Sequence, residues 1–227
     1  QYLRKVCLHS LAQIGDVSAE PVLAAAAAKA GYTYENTEAT AAYLFLLNKL
    51  AVNGSTPLVT KKATALNQLK KPEQLHTRIA GLKLLTDIQG NKSTALLTGA
   101  MKDPDLKYRE AALKFAAPYV NGQTNTAWLN TAKKSNNTVK AEIINMLAGK
   151  GDAAAYAPAL ELLRSNDATA RAAVANAAAI TGKSEAAPVL IALMNKAGKE
   201  EAVAVKNALL LLDSKTVAAP AAAALPT

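Results

Sequence analysis

One cysteine, two histidines and one tryptophan are all that 227 residues offer. The lone Cys7 excludes an intrachain disulfide and a zinc site built from cysteines. His9 and His76 have no ligand partner at metal-binding spacing. No glycine-rich phosphate loop, serine elbow or HExxH stretch occurs, so no catalytic site and no cofactor is expected. Aromatics make up only 4%, and few segments alternate as strands do. No signal peptide is visible, nor an apolar run of the ~20 residues a membrane span needs. Arginine is scarce too. Of 26 basic residues only Arg4, Arg78, Arg109, Arg164 and Arg171 carry a guanidinium.

What is present is alanine, lysine and repetition. Half the residues are apolar, enough for a core, and the net charge is +9. Alanine forms helix best and lets helices approach closely. From Arg171, a basic residue recurs at Lys140, Arg109 and Arg78, each 31 residues apart. Four residues beyond stand Ala175, Ile144, Leu113 and Leu82; seven beyond, Ala178, Leu147, Ala116 and Leu85. These offsets share one helix face. A breaker follows at Gly182, Gly151, Gly122 and Gly90, and Asp167, Asn136, Asp105 and Gln74 stand four residues before each basic position. The series degrades outward, through Arg4 at one end, Thr40 at an irregular step, and Glu201 in the basic position at the other end.

Partner helices are expected at about 17–30, 56–70, 92–102, 124–134, 153–164 and 185–196, with Pro57, Pro158 and Pro188 in or near their first turns. That makes about thirteen helices, paired as seven units with the first incomplete. Two-helix units of this length, each burying its apolar face against its neighbours, form a helical solenoid. The phrase acid-x-x-x-Arg-x-x-Ala/Val-x-x-Ala/Leu at 105–116 and 167–178 resembles the short HEAT repeat of bacterial proteins, the form also found in phycobilisome lyases. The resemblance covers residues 1–213 and implies an all-α fold, a right-handed α-α superhelix of about seven repeats. It says almost nothing about activity. Arrays of this Ala/Lys/Asn-rich style resemble those in large bacterial envelope or secreted proteins, which implies a periplasmic or envelope location and further domains on the same chain. Gln1 to Ile14 reads as the middle of an array, and the uncharged Ala/Pro stretch within 214–227 as a linker or tail.

Two classes of residue then separate. Arg4, Arg78, Asp105, Arg109, Lys140, Asp167 and Arg171 repeat at the packing period, so they read as a structural ladder of helix caps and bridges between units. Cys7, three residues after Arg4, is expected on the packing face as a small buried side chain. Residues five and nine past the basic position point away from that face. They give a strip expected to line the concave side: His9, Phe45, Lys49, Lys83, Asp87, Lys114, Asn145 and Asn176. Tyr32 and Tyr34 form an exposed aromatic loop inserted before the irregular unit. The strip suits a protein or peptide partner. The alternative is a nucleic-acid-binding protein of the DNA-glycosylase kind, but the ladder takes four of the five arginines and leaves only scattered lysines for phosphate.

Overall fold

The structure, a computed structural model, describes residues 2–223. The described residues form helices and short 3-10 turns without a strand. The chain divides into two compact units. One gathers Gln1–Leu97 with Asp103–Phe115, the other Thr98–Lys102 with Ala116–Thr227. The sequence led us to expect a single repeat domain over 1–213.

In the first unit the helices are α1 (Tyr2–Ile14), α2 (Glu20–Lys29), α3 (Ala39–Val52), α4 (Thr56–Asn67) and α5 (Leu75–Gln89), followed by the start of α6 (Thr94–Ala100) and nearly all of α7 (Leu106–Ala116). Here α2 pairs with α3 and α4 with α5, while α1, α3 and α5 stack in turn. Apolar leucines from four helices (Leu23, Leu46, Leu47, Leu50, Leu66, Leu84) meet in one core, interleaved with Ala12, Ala27 and Ala63. Alanine allows the close fit, and Gly81 carries it furthest. A Cβ there would sit 2.7 Å from the Asn67 nitrogen and 2.8 Å from the Ala63 carbonyl oxygen, so α4 and α5 touch backbone to backbone.

The second unit continues with α8 (Asn125–Lys133), α9 (Asn137–Gly149), α10 (Tyr156–Leu163), α11 (Ala168–Gly182), α12 (Ala187–Met194), α13 (Lys199–Leu210) and α14 (Ser214–Ala223). Pairs α8/α9, α10/α11 and α12/α13 recur, and α9, α11 and α13 stack in turn. Trp128, Ile143, Ile144, Leu147, Leu162, Val174 and Leu190 fill the core. Counted together, Ala168–Met194 is long and apolar enough for a membrane span by composition alone. The stretch is two helices broken at Lys183, and Val174, Ala175, Ala178 and Leu190 within it are core of this unit.

Helix starts follow the expected chemistry. Asp105, Asn136 and Asp167 accept hydrogen bonds from the backbone N–H three residues on, each at 3.0 Å, filling donors that a helix start leaves open. Gln74 does not cap α5. It is buried, and its amide donates to the Gly31 carbonyl at 2.8 Å. The glycine breaks also need revision at one place. Gly182 is still helical, and the chain turns at Lys183, with φ +46°. Glycine at 182 leaves room for the Tyr156 ring, which an added Cβ would meet at 2.1 Å unless the ring shifted.

Two expectations fail at the margins. Cys7 is exposed, because α1 packs on α3 through Leu8 and Ala12 and no described helix covers its other side. Residues 214–223, read as linker, form a helix packed on α12 with Pro220 inside it. Asp213 caps it by accepting from the Lys215 N–H at 2.8 Å. The rest of the expected tail, residues 224–227, lies outside the described residues.

Candidate functional site

Several ladder residues join one helix to another. Arg171, at the head of α11, grips Glu201 of α13 with two nitrogens, Nε at 2.5 Å and Nη2 at 3.0 Å, and donates its Nη1 to the Ser165 carbonyl at 2.8 Å. Glu201 is only 5% exposed, and the two parallel contacts make this a fork-to-fork pair. Arg78 of α5 pairs with Asp103, and its guanidinium lies 3.7 Å from the centre of the Tyr108 ring. Burial opposes charge on both partners. Their mutual hydrogen bond outweighs it, holding Asp103 below the usual carboxylate range and Arg78 above its own. Arg109 is buried and donates to the Asp103 and Pro104 carbonyls at 2.9 and 3.0 Å. Lys140 reaches Glu161 of α10 at 3.2 Å. Asp167 accepts from the Ala170 N–H and the Asn137 amide, which hold it below the usual range. Arg4 alone is exposed, its charge felt by Glu35.

One joint was not anticipated. The irregular step has Thr40 where a cation is expected, buried with its hydroxyl unpaired. Nearby, Glu20 of α2 is buried, accepts from the Tyr43 hydroxyl at 2.9 Å and pairs with Lys62 of α4 at 2.9 Å. Glu20 is the first residue of α2, an ordinary place for a carboxylate, so the sequence alone did not mark it.

Off the joints, the first unit carries a row on successive helices. His9, Lys83, Asp87 and Lys114 are exposed, and Phe45 is 39% exposed. The His9 and Phe45 rings lie 6.2 Å apart, and Lys49 Nζ stands 5.9 Å from the Phe45 ring centre. Lys83 pairs with Asp87 and stands 5.8 Å from the ring of Phe115, a residue missed from the strip. Phe115 follows Lys114 directly, and the period alone did not mark it. A cavity of about 210 Å³ between α1 and α3 is walled by Lys5, His9, Glu38 and Phe45.

The second unit offers less. Asn176 is exposed, but the amide of Asn145 donates to the Ala173 carbonyl at 3.0 Å and ties α9 to α11. The Tyr32/Tyr34 loop is not a pair of loose aromatics. Tyr32 is half-buried against the core, and its carbonyl accepts from Thr77 at 2.8 Å. Tyr34 is 78% exposed yet stacks on His76 at 3.7 Å. Among the described residues, no three His, Cys, Asp or Glu side chains gather as a metal site requires.

Residues 125–209, from α8 into α13, match the family model of HEAT repeats. This stretch of the second unit is thus similar to HEAT repeats. No curated protein matches it. HEAT repeats commonly mediate protein interactions and are generally non-catalytic. The Arg171–Glu201 joint lies inside the matched HEAT stretch, and the Arg78 joint repeats it outside.

Proposed function

We propose that the chain is a non-catalytic interaction or scaffold domain that holds a protein or peptide segment on the outward faces of the helices bearing the basic positions. Its setting is a larger bacterial protein of the envelope or secreted kind, a reading supported by the Ala/Lys/Asn-rich style of the repeats. One observation carries the binding reading. Arg78, Arg109 and Arg171 are committed to internal contacts, whereas His9, Phe45, Lys83 and Lys114 of the first unit face outward at a shared register. Repeat proteins use such rows of like positions as extended binding surfaces.

The test compares the intact protein with the Lys83→Glu/Lys114→Glu double variant as bait. Loss of the captured partners supports the reading, and capture of the same partners in equal amount refutes it. Duplex DNA is the control. A steeply salt-dependent mobility shift, lost in the same variant, would favour nucleic acid instead.

A further inference from the structure

The outward row of the first unit has an order along it. Five residues past the basic position stand His9 on α1, Phe45 on α3, Lys83 on α5 and Lys114 on α7. The row therefore runs from aromatic to cationic. Both phenylalanines of the protein belong here, Phe45 in the row and Phe115 beside it, each with a lysine ammonium within 6 Å of its ring. Lys49 and Lys114 have no carboxylate partner among the described residues. The Lys83–Asp87 pair is exposed on both sides, so it exchanges partners at little cost.

We infer that this face takes an extended acidic peptide segment of the pattern apolar-x-x-acid-x-x-acid, the two acids meeting Lys83 and Lys114 and the apolar side chain meeting Phe45 and His9. The inference rests on the proposed protein-binding role and names the partner's chemistry. The spacing follows from two lengths. Packed helices stand ~8–10 Å apart, and an extended chain advances about 3.3 Å per residue, so every third residue falls on the next helix. The charge pattern selects a sparse anion. Glu38 and Asp87 share this face with the lysines. A strand with a phosphate at every nucleotide would bring charge against them, whereas acids three residues apart pass between them.

The experiment measures binding of fluorescent peptides to the whole chain by anisotropy. Four probes are compared: Leu-x-x-Glu-x-x-Glu in a Gly/Ser background, its Gln counterpart, a peptide of the same composition with adjacent acids, and a single-stranded oligonucleotide. The spaced peptide is expected to bind about tenfold tighter than the Gln version, the scale of one good charge-assisted contact. Lys114→Glu should abolish that advantage, and changing the facing Glu of the peptide to Lys should restore it. Phe45→Ala should weaken every Leu-bearing peptide and leave the oligonucleotide unchanged. Equal binding of spaced and adjacent acids overturns the spacing while leaving the protein-binding role standing. If no peptide binds, or the Lys114→Glu and Phe45→Ala variants bind every peptide as the parent does, both fall. Tighter binding of the oligonucleotide overturns the peptide in favour of nucleic acid.

Discussion

Arg78 and Arg171 head two 15-residue helices, α5 and α11, at positions three 31-residue periods apart. Both reach a side chain thirty residues further on, Tyr108 in one case and Glu201 in the other. The first joint is a stacked guanidinium with Asp103 at its edge, and the second is a bidentate ion pair. Each helix then ends in the same unusual turn. Gly90 has φ 54°, ψ −129° and Lys183 has φ 46°, ψ −124°. Glycine tolerates that conformation, and lysine is strained in it. The position is conserved as geometry while its chemistry varies, so the period fixes where a joint falls without fixing what makes it.

The largest expected effect separates the two joints. Arg171→Met leaves the Glu201 carboxylate buried and unpaired, which costs about 3–5 kcal/mol. Arg78→Met leaves Asp103 near the edge with Lys70 in range, and its cost should be smaller. Urea unfolding measures both, and Arg171→Met/Glu201→Met should recover most of the loss. Equal costs for the single variants would erase the distinction between the joints. The turns come next. Gly90→Lys should destabilise by ~1–3 kcal/mol, and Lys183→Gly should stabilise by about 1 kcal/mol, strain relief set against the greater freedom of glycine in the unfolded chain. Thermal midpoints moving in opposite directions would confirm that the two turns share one conformation. The smallest effect is in pH. His76 of α5 has Thr169 at the matching position of α11. Burial disfavours the charged imidazole more than the Glu73 backbone favours it, so its pKa lies below the ordinary 6.5. The unfolded chain therefore takes up the proton first. The stabilisation is full above about pH 6.5 and fades as pH falls through the lower folded value. Hydrogen exchange at pH 7.5 and 5.5 should show α5 weakened at the lower pH, and His76→Gln should flatten that difference.

The repeats were legible because alanine and leucine at offsets of four and seven leave one way to bury a face. Leu82, Ile144 and Ala175 are fully buried as that rule requires. The helices of the partner series likewise begin and end within a few residues of where proline and glycine mark them. The misreadings have a common cause: a period describes a helix with neighbours on both sides. Cys7 lies off the Leu8/Ala12 side by which α1 packs, and no described helix covers it. The tail looked like linker because proline disfavours helix, yet α12 gives α14 a surface to pack on. The row at His9, Phe45, Lys83 and Lys114 was visible as polar and aromatic residues off the packing register. Phe115 and the Glu20 joint were not, because each depends on which side chains meet across helices, and a single period carries no information on that.

The shared carboxylate of Glu20 has a consequence for how the first unit opens. Its partners sit on α3 and α4, so a fluctuation that frees α2 strips Tyr43 and Lys62 of their acceptor in the same event. Amide protons of α2, α3 and α4 should then exchange as one cooperative block. Helix α1 rests on α3 through two buried side chains and should exchange before that block. Slow breathing of this unit should then begin at the helix bearing His9 and stop at a single acid.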